Sequence, residues 1–195
     1  MEAYLTSAGL NVLNKIIASK GTLVFTKAEF GSGKVTGEAA CRARTSLAAK
    51  TADASLVKVT YEGGEAVVST QYSNAGLAAG FFVNEIGIYV KDPTTSNSVL
   101  YCYVTFGDNP DWIAPASSAQ YVRTYDVVTI ISSAASVQVQ ASPSAMVTQK
   151  EFEEYAQAIN ATINTLISNF DMQMRDKDDR IETLEKQVEA LTTSA

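Results

Sequence analysis

The chain has 195 residues, of which 46% are hydrophobic and 18% are charged, and its net charge is -6. This composition is typical of a globular protein and excludes a disordered or collagen-like chain. The sequence has no histidine, which removes the commonest general base and metal ligand and, with them, Ser-His-Asp and Cys-His catalysis. The acidic balance argues against a nucleic-acid partner. No segment reaches the roughly 20 apolar residues of a membrane helix, so we expect no membrane insertion.

The chain begins with the pattern of a short helix. In this prediction Thr6 or Ser7 caps the helix and Gly21 ends it. Apolar residues recur between them at helical spacing, at Leu10, Leu13, Ile16 and Ile17.

The following residues mainly predict strands. Leu23 to Phe30 is rich in β-forming residues and ends in the turn signal Gly31-Ser32-Gly33, whereas Cys41 to Ala54 fits a second short helix or a loop. Three antiparallel pairs are predicted beyond this point. They are Leu56–Tyr61 with Ala66–Tyr72, Gly80–Lys91 with Val99–Phe106, and Tyr125–Ile131 with Ser136–Gln140. The N-terminal domain, residues 1–141, is therefore predicted to be α+β, with mainly antiparallel strands and a short N-terminal helix.

Few residues of this domain form a pattern typical of chemistry. Gly31-Ser32-Gly33-Lys34 is similar to the end of a phosphate-binding loop. Such a loop needs glycine at position 28 and Ser or Thr at position 35, where the sequence has Ala28 and Val35. The acidic residues have no paired spacing. The two cysteines, Cys41 and Cys102, have neither metal-binding nor redox spacing, and we expect both to be buried thiols. We therefore predict no catalytic, cofactor-binding or metal site, and a protein that is not an enzyme.

Glu85 interrupts the most apolar run of the sequence, FFVNEIGIYV. On a regular strand with one buried face, Asn84 and Glu85 cannot both point to solvent. Two interpretations stay open: a buried carboxylate that forms a structural ion pair with an arginine, or a bulge that leaves Glu85 in water. The candidate partners are Arg42, Arg44 and Arg123. Trp112 lies in a predicted loop, where it either anchors a contact or covers the edge of the core.

The last part of the sequence predicts a linker, residues 142–147, and a long helix, residues 148–195. Two start signals mark the helix: a capping box at Thr148 and Glu151 and a hydrophobic staple at Val147 and Phe152. Neither Gly nor Pro interrupts the run up to Leu191, which as a helix would be about 65 Å long. Ten acidic and five basic residues lie between positions 150 and 191, so this segment carries most of the net charge.

The apolar residues of this helix follow a heptad repeat with one four-residue stutter between Phe170 and Met174. We predict that they form an oligomerising coiled coil. The seam residues are Phe152, Ile159, Ile163, Leu166, Phe170, Met174, Ile181, Leu184, Val188 and Leu191. The last two heptads favour two strands, whereas the residues before the stutter tolerate three, and Arg180 and Glu185 are placed to pair between parallel chains. The alternative is a lone amphipathic helix that docks on the first domain.

The order of these segments carries a resemblance to a known family. A helix, LTSAGLNVLNKIIASKG, leads into LVFTKAEFGSGKV, and FFVNEIGIYVKDP, VLYCYVTFG and YDVVTIISSAASVQVQ follow. Phe25 to Gly33 matches an F-T-(K/R)-x-x-x-G-x-G strand and turn, and Asn84 to Tyr89 matches an (R/N)-E-(I/L)-G-(I/L)-Y strand. Over about residues 3 to 140 the chain resembles the N-terminal domain of phage tail fibre proteins of the tail-collar fibre family. These occur in contractile-tailed phages, prophages and phage-tail-like particles.

The resemblance implies attachment, because this domain of the family fixes a fibre to the tail baseplate and the fibres are usually trimers. The implied partners are further copies of the chain (a trimer, or a dimer by the heptad rule), a baseplate protein and a distal fibre protein. The implied location is the virion tail or a phage-tail-like particle, after synthesis in the bacterial cytoplasm. Fibres of the family typically continue into a shaft and a receptor-binding tip, whereas this sequence ends soon after Leu191. We therefore expect a fibre base, an adaptor or a short fibre.

The alternative function is a multivalent cell-surface or carbohydrate-binding module, in which the helix supplies multivalency. A sugar site usually combines exposed aromatic side chains with Asp or Asn. The candidate residues are Tyr72 with Asn74, and Trp112 with Asp108, Asn109 and Asp111.

Overall fold

The computed structural model of the chain describes residues 1–62, 64–131, 136–140 and 149–193. The chain divides into two compact units, Met1–Met146 and Val147–Ala195. The first unit combines a mainly antiparallel sheet with short helices, and the second contains one long helix, which confirms the α+β class and the long C-terminal helix. The predicted turn at 132–135, the linker at 142–147 and the capping residue Thr148 lie outside the described residues.

The elements of the first unit, in chain order, are β1 (Glu2–Leu5), α1 (Ser7–Ser19), β2 (Thr22–Gly31), α2 (Glu38–Arg42), β3 (Lys50–Glu62), β4 (Glu65–Ser73), β5 (Phe81–Val83), β6 (Glu85–Lys91), β7 (Ser98–Thr105), β8 (Asp111–Ile113), β9 (Val122–Ile130) and β10 (Ser136–Val139). The second unit contains α3 (Gln149–Thr193).

The main sheet has the strand order β1-β7-β6-β2-β3-β4-β9, and each neighbouring pair is antiparallel. The predicted β3–β4 hairpin and the predicted pairing of β6 with β7 are therefore confirmed. The two ends of the row, β1 and β9, come close together, and the Tyr101 hydroxyl on β7 donates to the Ile130 carbonyl on β9. The sheet thus curls around its core.

The predicted single strand Gly80–Lys91 is wrong, because it is two strands with Asn84 between them. The Asn84 N–H donates to the Gly31 carbonyl at 2.9 Å, and the Asn84 carbonyl accepts from the Phe106 N–H at 2.9 Å. Its side-chain amide donates to the Ser32 carbonyl at 2.8 Å. These three bonds hold Asn84 as a pivot, from which β6 continues in the main sheet while β5 pairs with β8 in a separate two-stranded sheet.

The predicted pairing of the last two strands with each other is also wrong. β9 pairs with β4 along its whole length, from Val122 to Ile130. β10 instead pairs with β2 in parallel, with Ser136 opposite Thr22 and Val139 opposite Phe25. β3 bonds to β2 only from Ala28 onward, so the first half of β2 has unpaired backbone groups on that side, and β10 satisfies them.

Three local predictions also change. The segment Cys41–Ala54, expected to be a helix or a loop, holds only the end of α2, then an irregular stretch and the start of β3. Trp112 lies on β8 and not in a loop. Thr6 caps α1 as predicted, but Lys20, with φ of 50°, takes the left-handed position at its end, where glycine was expected.

The main core fills the space inside the curled sheet and is closed by α1. Val12, Leu13 and Ile16 of α1 are buried against Phe25 and Tyr101, whose rings meet edge to face with centroids 5.7 Å apart. Gly9 allows this approach, because a Cβ at this position would lie 2.7 Å from the Tyr101 Cα. The helix backbone therefore packs directly on the backbone of β7.

We predict that Gly9→Ala destabilises the protein by about 2 kcal/mol, because the added methyl group pushes α1 away from β7. Alanine is the better helix former, so the loss would arise from packing and not from helix propensity. Asn11→Ala, at an exposed position of the same helix, is the matched control and should be neutral or slightly stabilising. Urea unfolding measures both, and equal stability of the two variants would contradict the close approach.

Candidate functional site

Glu85 is the most completely buried carboxylate of the described chain, with no exposed surface. Its Oε1 accepts from the backbone N–H of Gly33 at 3.1 Å and of Ala49 at 2.7 Å. Its Oε2 accepts from the N–H of Ala48 at 2.9 Å and from the hydroxyl of Tyr103 at 2.6 Å. Four donors therefore surround the two oxygens, which replaces the water that a carboxylate loses on burial.

The partners of Glu85 are backbone amides in place of the expected arginine. Arg42 bonds to Glu38 and to the Leu5 carbonyl, and Arg44 donates to the Ser46 carbonyl. Arg123 lies 3.3 Å from Asp111. The interpretation of a buried carboxylate is therefore right, but the ion pair with one of these arginines is not formed, and neither is the bulge that would leave Glu85 in water.

The same carboxylate explains the two glycines of Gly31-Ser32-Gly33. A Cβ on Gly33 would lie 2.5 Å from Glu85 Oε1, and a Cβ on Gly31 would lie 2.7 Å from Glu85 Cγ. The FTKAEFGSG and NEIGIY segments, noted separately in the sequence, thus meet at one point. A phosphate has no room here, because Glu85 already occupies the Gly33 amide.

A second buried carboxylate, Glu29, lies on the outer face of the sheet. It accepts from Lys27 at 2.7 Å, Lys50 at 3.0 Å and the Tyr89 hydroxyl at 2.5 Å. Burial opposes its ionisation, but the hydrogen bonds from Lys27, Tyr89 and Lys50 outweigh burial and lower the pKa of Glu29. Since the pKa is lower in the folded chain, this group contributes stability that is present above its ordinary pKa of 4.5 and is lost as the pH falls through the lowered value.

Two tyrosines donate hydrogen bonds to these buried carboxylates, Tyr103 to Glu85 and Tyr89 to Glu29. Burial, together with the hydrogen bond to Glu85, raises the pKa of Tyr103 well above its ordinary value. Burial and the hydrogen bond to Glu29 do the same for the pKa of Tyr89. Both phenols therefore stay protonated and act as hydrogen-bond donors. Because solvent does not reach Glu85, these bonds serve to hold segments of the fold together.

The candidate sugar-binding residues are mostly engaged within the fold. Asn74 is fully buried, donates to the carbonyls of Ala114 and Ala119 and accepts from the Tyr121 N–H. Asp108 pairs with Lys34 at 2.6 Å. The set around Tyr72 and Asn74 is therefore not arranged as a binding surface.

Trp112 is half exposed and packs against the half-exposed Phe82 of the neighbouring strand, with ring centroids 4.7 Å apart and the ring planes tilted by 55°. Gly80 makes room for the indole, because a Cβ there would lie 2.9 Å from Trp112 Cη2. The adjacent Asp111 is engaged by the Tyr125 hydroxyl at 2.6 Å and by Arg123. The aromatic pair is thus a small exposed platform whose neighbouring carboxylate is already bonded.

The helix α3 carries a second candidate site, an exposed apolar row. The ten predicted seam residues are 42–71% exposed, from Met174 at the low end to Leu191 at the high end. They are Phe152, Ile159, Ile163, Leu166, Phe170, Met174, Ile181, Leu184, Val188 and Leu191. Large exposed apolar surfaces are uncommon on soluble proteins and often belong to interaction sites, so this row is a candidate interface.

Comparison with protein-family models, with curated proteins and with solved structures finds no match to this chain. Among the residues that the structure describes, no helix is long and apolar enough to cross a membrane. In the same residues, no group of three or more Cys, Asp or Glu side chains is arranged to hold a metal ion.

We predict that Glu85→Gln lowers the free energy of unfolding by about 2–4 kcal/mol. Glutamine has one acceptor oxygen, so in either orientation two of the four donors lose their partner in a site without water. Glu38→Gln is the matched control, since Glu38 is exposed and pairs with Arg42 on the surface; its effect should stay below about 0.5 kcal/mol. Urea unfolding of both variants measures the two changes in stability. An unchanged free energy of unfolding in Glu85→Gln would show that the carboxylate charge does not stabilise this site.

Proposed function

We propose that the chain is a structural component of a contractile phage tail or phage-tail-like particle, which attaches a fibre to the baseplate and oligomerises through α3. The observation that carries the proposal is the apolar row of α3, exposed along the whole helix. The resemblance of the first unit to fibre attachment domains supports it. The contact between the two motif segments at Glu85 gives a physical reason for their occurring together in one chain.

Energetics support self-association of α3. Full burial of a large apolar side chain contributes about 1.5–3 kcal/mol, so covering a half-exposed one contributes about 1 kcal/mol. Ten such residues give each helix about 10 kcal/mol, so a pair of helices gains about 20 kcal/mol, which exceeds the roughly 4–15 kcal/mol cost of association. An isolated helix has no such gain and relies on local terms, such as the Lys186–Glu182 pair at 2.6 Å.

The coiled coil of this proposal is parallel and in register. The first segment of the seam, from Phe152 to Phe170, is compatible with three strands, in line with the family, and the last two heptads with two. Parallel chains place Arg180 of one helix near Glu185 of the next. Each copy in the oligomer contributes one first unit, so several weak contacts with the baseplate add up.

Carbohydrate binding is the less favoured function. The Asn74 side chain already donates to two loop carbonyls. Asp111 already accepts from the Tyr125 hydroxyl and pairs with Arg123. Phe82 and Trp112 keep an exposed surface, but large aromatic residues of this kind also anchor protein–protein contacts. Binding of the full chain to a glycan array that is lost in Trp112→Ala would favour sugar recognition over attachment.

Self-association is tested by the solution mass, from light scattering after size exclusion. We expect the full chain at about three times 20.8 kDa and a version ending at Ala141 at the mass of a single copy. Ile163→Asp should dissociate the oligomer because it places a charge in the seam, whereas Thr165→Asp, on the opposite side of the helix, should not. A mass of two copies would favour the dimer, and a monomeric full chain would contradict the coiled coil.

Attachment is tested with baseplates that lack their fibres, purified from a contractile phage or a phage-tail-like particle. We expect the full chain to bind them, visible by electron microscopy as added density and by cosedimentation. Ile163→Asp should bind roughly 100-fold more weakly, because the monomer loses multivalency while its first unit is unchanged. Thr165→Asp is again the control, and an oligomer that binds no baseplate would contradict the proposed role.

A further inference from the structure

Residues 32–49 form a strap between β2 and β3 that leaves and rejoins the sheet at one place. Gly31, at the end of β2, lies opposite Lys50, at the start of β3. At the base of the strap the Ser32 N–H donates to the Ala49 carbonyl at 2.9 Å. Because its two ends are neighbours, the strap can move away from the sheet without breaking a strand pair.

The strap covers a small apolar cluster on the outer face of the sheet, separate from the main core. The cluster combines Cys41 and Leu47 of the strap with Tyr89, Leu100 and Tyr103 of the sheet. Cys41 and Leu47 are the only buried residues among the eighteen of the strap. Of the other strap residues, the half-buried Val35 also packs against this cluster.

The bonds that hold the strap are concentrated at its base. The Glu85 carboxylate accepts from Gly33 at one end of the strap and from Ala48 and Ala49 at the other. Farther out, Arg42 donates to the Leu5 carbonyl at 3.1 Å and Lys34 pairs with Asp108 at 2.6 Å, and both contacts are exposed. The five-residue helix α2 has no side-chain cap at Gly37. A segment that makes few buried contacts, and whose hydrogen bonds are exposed to solvent, is typical of one that opens locally.

We propose that the strap separates from the sheet as a unit, turning about Gly31 and Lys50 while the sheet stays folded, and that Glu85, through its bonds to both ends of the strap, is the latch that keeps it closed. Opening uncovers Tyr89, Leu100 and Tyr103, an apolar face of β6 and β7 that the closed strap hides. This inference does not depend on the proposed function, because it rests on the first unit alone.

The two cysteines of the chain are natural reporters of this motion. Cys41 belongs to the strap and packs in the cluster that the strap covers, whereas Cys102 lies on β7 inside the main core, between β1 and β6. Both are free and buried. Burial raises the pKa of Cys102 to about 11 and also raises the pKa of Cys41, so both thiols react slowly while they are covered.

The test labels the full wild-type chain with N-ethylmaleimide and follows each cysteine by peptide mass spectrometry. We expect Cys41 to react roughly 100-fold faster than Cys102, because strap opening is easier than global unfolding. The rate at Cys41 should depend weakly on urea, since little surface is exposed, and the rate at Cys102 strongly. Equal rates with equal urea dependence would overturn the proposal.

Three variants separate the effect of the latch from that of global stability. Glu85→Gln should raise the rate at Cys41 at least 10-fold, which corresponds to about 1.4 kcal/mol, because the latch is lost. Leu47→Ala should also raise the labelling rate at Cys41, and it serves as the test if Glu85→Gln does not fold. Gly9→Ala, which loosens α1 in the main core, should raise the rate at Cys102 and leave Cys41 unchanged. If Gly9→Ala accelerates both cysteines equally, the strap does not open by itself.

Discussion

A carboxylate that loses all contact with water must find partners for both oxygens, and Glu85 finds them in the backbone of another segment. The amides of Gly33, Ala48 and Ala49 belong to the two ends of one long connection. One side chain thereby brings the end of β2 and the start of β3 to the first residue of β6. Gly31 and Gly33 are required because the Glu85 carboxylate occupies the space that their side chains would need.

The central strands are apolar on both faces, and the positions of the two cores explain why. Residues 85–90 of β6 are all buried, and so are residues 100–105 of β7. One face of these strands packs on the main core under α1, and the other is covered by the strap through Cys41 and Leu47. A strand buried on both sides has no polar alternation, which is why NEIGIYVK and VLYCYVTF are such continuous apolar runs.

The two units differ in how they are stabilised. The first buries its large apolar side chains within itself and leaves only local exposed features, such as the Phe82–Trp112 pair. The helix α3 has the opposite character, since its seam residues stay exposed along the whole length of a single chain. Burial of its apolar row needs another surface to cover it, and for this reason the proposed function assigns the row to self-association.

The sequence alone determined the features that depend on neighbours along the chain. Helical spacing and Thr6 predicted α1, and alternation and turn residues predicted β2, the β3–β4 hairpin and the β6–β7 pair. The heptad repeat and the absence of Gly and Pro predicted α3. The partners of Glu85 and the position of β10 were decided by the tertiary structure. A carboxylate bonds to whichever donors the fold brings near, and the Gly33, Ala48 and Ala49 amides carry no side-chain signal that periodicity can detect. β10 likewise pairs with the strand that has unpaired backbone groups, and that strand, β2, is more than a hundred residues away.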